Sequence, residues 1–64
     1  FIEDGGIVLV DYKTDKTTET MAETAAEKYR IQLAYYARGI AETMGIPVKE
    51  RYVYFLSCHK AVSV

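Results

Sequence analysis

The sequence predicts an α/β chain in the order strand, strand, helix, strand, strand. Three observations carry this. Residues 7–13 read Ile-Val-Leu-Val-Asp-Tyr-Lys, a β-branched and apolar run with no helical spacing. Ala25, Tyr29, Leu33, Tyr36, Ala37, Ile40 and Met44 recur mainly at three- and four-residue steps, which gives one apolar helix face. Residues 49–57 are enriched in aromatic and β-branched side chains, the signature of another strand.

Each element follows from its residues. Phe1-Ile2-Glu3 runs straight into Asp4-Gly5-Gly6, so it reads as a strand end entering a hairpin turn. With no initiator Met, the chain is expected to be a piece of a larger protein, truncated on its N-terminal side. In the strand that follows, Ile7, Leu9, Asp11 and Lys13 share one face; Val8, Val10 and Tyr12 share the other. Both faces begin apolar, which predicts a central strand covered on both sides. Residues 14–23 are polar, with no Pro or Gly, and read as a mobile connector. Thr24 with Glu27, or Thr20 with Glu23, fits a capping box at the start of one long helix. Gly45 and Pro47 end that helix. After the next strand, Cys58-His59-Lys60 predicts a turn, and Ala61 to Val64 a short strand at an edge.

Composition excludes several classes of function. The chain has 64 residues, half of them hydrophobic, with 8 basic and 9 acidic side chains and a net charge of −1. That balance is globular and does not attract nucleic acid through bulk charge. A domain of this size buries only about 60% of its unfolded surface. One cysteine forms no internal disulfide. No membrane span or signal peptide is visible, and a reduced, cytoplasmic setting is expected.

Two spots carry candidate chemistry. Asp11 and Lys13 stand two apart on one strand face, a carboxylate and an ammonium within reach of one substrate. Such a carboxylate can bind a hard cation, and such an ammonium can stabilise charge on a phosphate. Alone, the pair reads first as a solvent-facing ion pair. Gln32 and Tyr36, four apart, stack on one helix face. Gln can donate and accept, which suits a phosphate or a base edge; the plainer reading is a core Tyr beside a boundary Gln.

Together the spots are more specific. Asp-Tyr-Lys-Thr-Asp at residues 11–15, followed by Tyr-Arg-x-Gln-Leu-x-x-Tyr at 29–36, resembles the RecB-type nuclease domain of the PD-(D/E)XK superfamily. Tyr36-Ala37-Arg38 and the run from Pro47 to Leu56 continue the resemblance, which is strongest to the C-terminal nuclease region of bacterial AddAB-type helicase–nucleases. It covers essentially the whole chain. It implies the C-terminal part of a restriction-endonuclease-like fold: a mixed sheet with one long helix, residues 1–64 forming a partial nuclease domain.

The resemblance also implies roles. Asp11 and Lys13 would be catalytic. Asp11 and the backbone carbonyl of Tyr12 would be ligands of Mg²⁺ or Mn²⁺. Gln32 and Tyr36 would contact DNA. Thr14 and Asp15 would shape the loop. The parent would be a DNA exonuclease acting in double-strand-break repair, with ATP used only in its helicase part. Its partner would be a second helicase–nuclease subunit, and it would have no membrane association. The family's further acidic residue, in a G-x-x-D pattern, falls upstream of Phe1, as do a His and its helix. Asp4 lies at the opposite end of the strand from Asp11 and does not substitute; Glu19 and Glu23 lie in or near the connector. The chain alone is therefore expected to have little or no nuclease activity. The competing expectations are a non-catalytic DNA-binding or scaffold module of the same superfamily, or a plain protein-interaction domain.

Other residues invite simpler readings. Cys58 and His59 have no second Cys or His to complete a zinc site. Most of the six tyrosines fill core or edge positions, with Tyr35 exposed. Lys49 and Arg51 share a strand face and could touch a phosphate backbone, but read first as a solvated edge. An unpaired strand edge beside the hairpin also predicts that the isolated chain self-associates.

Overall fold

The computed structural model describes residues 1–64. Strand β1 (Ile2–Glu3) and strand β2 (Gly6–Lys13) form the expected hairpin, pairing Ile2 with Ile7 and Glu3 with Gly6. The two-residue turn between them requires positive φ, and Asp4 (48°) and Gly5 (76°) supply it. Phe1 prolongs the ladder by one residue: its amino group donates to the Val8 carbonyl (2.9 Å) and its carbonyl accepts from the Val8 N–H (2.7 Å). Beyond Val8 that edge of β2 is open.

Strand β3 (Val48–Phe55) runs parallel to β2, and strand β4 (Lys60–Ser63) antiparallel to β3, giving a mixed sheet in the order β1-β2-β3-β4. A parallel pair needs a crossover, and the helical segment between β2 and β3 provides it. Register sets Asp11 beside Val53 and Lys13 beside Phe55. A bulge between Ile7 and Val8 leaves Lys49 as the extra residue on β3.

The single long helix is corrected. The crossover consists of a 3₁₀ turn (Glu19–Met21), helix α1 (Ala22–Glu27) and helix α2 (Arg30–Met44). At Lys28 and Tyr29 the chain tightens, with the Tyr29 N–H bonding Ala26 O (2.9 Å), before Leu33 N–H to Tyr29 O (2.9 Å) restarts the ladder. The reason is packing: α1 lies against β4 while α2 lies against β3 and β2. At the break itself, the Tyr29 hydroxyl and the Lys28 ammonium are both held by Asp15 Oδ2. Neither capping box forms. Thr24 lies inside α1, Glu27 is held by Arg30 (2.8 and 3.0 Å), and the Thr20 hydroxyl pairs with Thr18 (3.1 Å).

The core lies between the helices and one face of the sheet. Ala22, Ala26, Leu33, Val53, Phe55, Val62 and Val64 are buried there, with Leu9, Ala25, Tyr29 and Cys58 packed against them. The two alanines let α1 approach the sheet closely. Of α2 only Leu33 and Ala37 are buried, so the apolar stripe is narrower than its spacing predicted. β2 is covered on both sides only at its start, where Ile7 and Val8 are buried on opposite faces; toward its C-terminal end the second face is open. The helices form one layer, and on the opposite face Tyr12 is 63% exposed, its ring edge-on to Tyr54. No helix is long and apolar enough to cross a membrane.

Gly45 closes α2 as expected, at φ 69° with its N–H on Ala41 O (2.9 Å). An alanine there meets no neighbouring atom but must adopt the left-handed backbone. Gly45→Ala is expected to lower stability by about 1 kcal/mol, read as a shift of the urea midpoint.

Candidate functional site

The site lies at the C-terminal end of β2, where the face that begins with apolar Ile7 and Leu9 turns polar. Lys13 Nζ stands 3.1 Å from Asp11 Oδ2, with both side chains mostly shielded. The Asp11 carboxylate holds the Lys13 ammonium above its ordinary pKa of 10.5; desolvation of the ammonium opposes this, and the negative charge of Asp11 adds to it. The two groups form an ion pair by distance, yet Asp11 Oδ2 is out of solvent with no aligned hydrogen-bond donor. Strand backbone groups alternate in direction. The Lys13 carbonyl accepts from Leu56 N–H (3.1 Å) toward β3, so the Tyr12 carbonyl points to the open edge. The Asp11 carboxylate and the Tyr12 carbonyl are both oxygen donors, the chemistry a hard divalent cation takes, although Asp11 Oδ2 faces the Lys13 ammonium here.

The loop after β2 is tied down, contrary to the mobile connector the sequence predicts. The Ser57 hydroxyl donates to Asp15 O (2.8 Å), lies 3.1 Å from Thr17 O and accepts from Thr17 N–H (3.2 Å). The Tyr29 hydroxyl donates to Asp15 Oδ2 (2.6 Å), and Lys28 Nζ lies 3.0 Å from the same oxygen. Lys13 Nζ sits 4.4 Å from the centroid of the Tyr29 ring. Asp15 therefore shapes the loop, as expected, and also anchors the helix break.

The Tyr29 hydroxyl, and secondarily Lys28, hold the Asp15 carboxyl below its ordinary pKa of 3.8. A depressed carboxylate pKa stabilises the fold above the unfolded value, and that stability is lost as pH falls through the folded value. Acidification below pH 4 is expected to lower the thermal midpoint more in the unmodified chain than in Asp15→Asn. Equal pH dependence of the two would contradict the anchoring role.

Gln32 and Tyr36 form a second, exposed pair, with Gln32 Nε2 donating to Tyr36 Oη (3.1 Å). At about 100° per residue they follow Tyr29 one and two turns along the same side of α2. No hydrogen bond or ion pair joins them to Asp11 or Lys13. Tyr36 is half exposed, not a core residue.

Other candidate groups are engaged elsewhere. Lys49 lies near Glu3 (3.7 Å) and Asp4 (4.0 Å), and Arg51 Nε donates to Val64 O (3.1 Å). His59, at φ 53° in its turn, has Nδ1 3.4 Å from the Tyr54 hydroxyl. Glu23 lines a groove with Lys60 and Val64. No three His, Cys, Asp or Glu side chains cluster to hold a metal. The residues that sequence reasoning missed are Tyr29 and Ser57. Tyr29 read as one position of the apolar stripe, although it opens the Tyr-Arg-x-Gln run; nothing in the local sequence marked Ser57.

Fold and site together define an α/β chain whose acid–base pair stands at the end of a central parallel strand, backed by a tyrosine. The same class of sequence recurs in bacterial proteins named as the A component of an ATP-dependent helicase/nuclease. The chain is 45% identical to that protein of Clostridium novyi over 64 residues, all of this chain and 5% of the relative. It is 50% identical to that of Acetivibrio thermocellus over 54 residues, 84% of this chain and 4% of the relative. With that of Carboxydothermus hydrogenoformans it shares 40% over 63 residues, 98% of this chain and 5% of the relative. The chain thus spans about one-twentieth of the length of these relatives. No family model and no solved structure matches it.

Proposed function

We propose that this chain is the C-terminal part of a RecB-type, restriction-endonuclease-like nuclease domain within a helicase–nuclease protein that cleaves DNA during double-strand-break repair. The observation that carries the reading is the Asp11–Lys13 pair at the end of β2, with Asp11 Oδ2 shielded from solvent and facing the Lys13 ammonium at 3.1 Å. Similarity to the helicase/nuclease relatives supports it. Asp11 and the Tyr12 carbonyl would hold Mg²⁺ or Mn²⁺. When bound, such an ion supplies Lewis acidity that lowers the pKa of a water and offsets phosphate charge. Lys13 would place an ammonium against the negative charge that builds on the phosphate. Gln32 and Tyr36 would bind DNA beside the site. The remaining acidic ligand would come from outside these residues, ATP would serve the helicase part, and an AddB-like protein would be the partner.

The test is Asp11→Asn in the full-length protein. Metal-dependent DNA cleavage is expected to disappear while ATP-driven unwinding persists. Unchanged cleavage would replace this reading with that of a non-catalytic scaffold. The 64-residue chain alone, given DNA and Mg²⁺, is expected to cut little or nothing.

A further inference from the structure

Lysine is a difficult group to aim. Its ammonium sits on a flexible four-carbon stem that carries about 2 kcal/mol of rotamer entropy. Two contacts restrain Lys13 here: Asp11 Oδ2 at 3.1 Å and the Tyr29 ring at 4.4 Å from its centroid. When the Asp11 carboxylate is engaged elsewhere, the ring is the contact that remains. That ring is itself fixed at both ends. Its backbone begins α2, with Tyr29 O accepting from Leu33 N–H (2.9 Å), and its hydroxyl is held by Asp15 Oδ2 (2.6 Å). Asp15 is in turn fixed by Lys28 (3.0 Å) and, through its carbonyl, by Ser57 (2.8 Å). A phenol that donates to a carboxylate is also richer in electrons, which strengthens its attraction for an ammonium over its face.

We propose that Tyr29 is a positioning residue for Lys13, its ring a platform for the ammonium, and that Asp15 orients that platform. This rests on the nuclease reading above for its functional consequence. The helix break is then part of the site, because Tyr29 stands in it and meets Lys13 at the end of β2.

The experiment uses the full-length protein with linear duplex DNA and Mg²⁺, measuring cleavage at saturating DNA, KM for DNA, and ATP-driven unwinding. Tyr29→Leu is expected to lower the cleavage rate at least tenfold with KM and unwinding unchanged. Tyr29→Phe, which keeps the ring and loses the hydroxyl, is expected to recover most of the rate. Asp15→Asn is expected to resemble Tyr29→Phe. In a Lys13→Gln background, adding Tyr29→Leu is expected to change residual single-turnover cleavage less than twofold, because the platform then has nothing to hold. The proposal is overturned if Tyr29→Leu cleaves normally, if it lowers unwinding in parallel with cleavage, or if its effect is undiminished in the Lys13→Gln background. Loss of cleavage in Lys13→Gln alongside any of these would leave the nuclease reading standing; normal cleavage in Lys13→Gln would remove that reading first.

Discussion

Phe55→Ala is expected to unfold the isolated chain. Phe55 is fully buried and is among the largest completely enclosed side chains, with Leu33 and Val53. Removing a buried phenyl ring costs about 3–5 kcal/mol, the sum of lost transfer energy and a cavity that neighbours fill only partly. At ordinary per-residue stability, a chain of 64 residues is held by only about 3–10 kcal/mol. The substitution therefore removes a large share of the total. The core offers little compensation, because it is one-sided and α1 contributes only small residues, Ala22 and Ala26, to its buried surface. Urea denaturation followed by far-UV circular dichroism should show no cooperative transition for Phe55→Ala. Phe55→Leu, a smaller change of volume, should keep the transition at a lower midpoint. A normal transition in Phe55→Ala would mean that the core is organised differently.

Lys13→Ala in the full-length protein is expected to reduce DNA cleavage by about 10²–10³-fold while leaving unwinding intact. The size follows from the role proposed for it. An ammonium aimed in advance at developing charge, in a partly shielded site, needs no reorganisation when the reaction occurs. Lys13 is well placed for that: it is protonated through the neutral range, with Asp11 holding its pKa above the ordinary value. Lys13→Arg should recover little, because a broad guanidinium spreads its charge over a planar fork, whereas Lys13 sets a compact charge 3.1 Å from Asp11 Oδ2. Cleavage that survives Lys13→Ala unchanged would show that the pair with Asp11 is only an ion pair.

Much of the architecture was legible because it depends on neighbours in sequence. Asp4 and Gly5 mark the hairpin turn since few residues accept positive φ, and Gly45 marks the end of α2 for the same reason. The alternation of β2 put Asp11 and Lys13 on one face, and the structure brings them to 3.1 Å. The capping boxes were legible too, yet did not form. Glu27 had a stronger partner in Arg30, and the helix started earlier than Thr24. Local capping chemistry competes with other side chains for the same carboxylate, and sequence spacing does not reveal which contact wins.

The helix break shows the limit most clearly. Residues 22–44 contain a Gly only at position 39 and no Pro, so nothing local announces an interruption at Lys28 and Tyr29. The break coincides with long-range contacts: α1 lies on β4, α2 lies on β3 and β2, and Tyr29 is held by Asp15. The connector shows the same limit: its polar composition suggested mobility, but Ser57, forty residues away in sequence from Thr17, holds it.

By itself, then, the sequence determined the order of elements, the turn residues and the face shared by Asp11 and Lys13, since these depend on backbone preferences and on the two-residue period of a strand. Only the tertiary structure decided where the helix breaks, which loop is held, and that the Tyr29 ring meets Lys13. Those outcomes depend on contacts between residues far apart in the chain, and their energies are set by packing that no local pattern encodes.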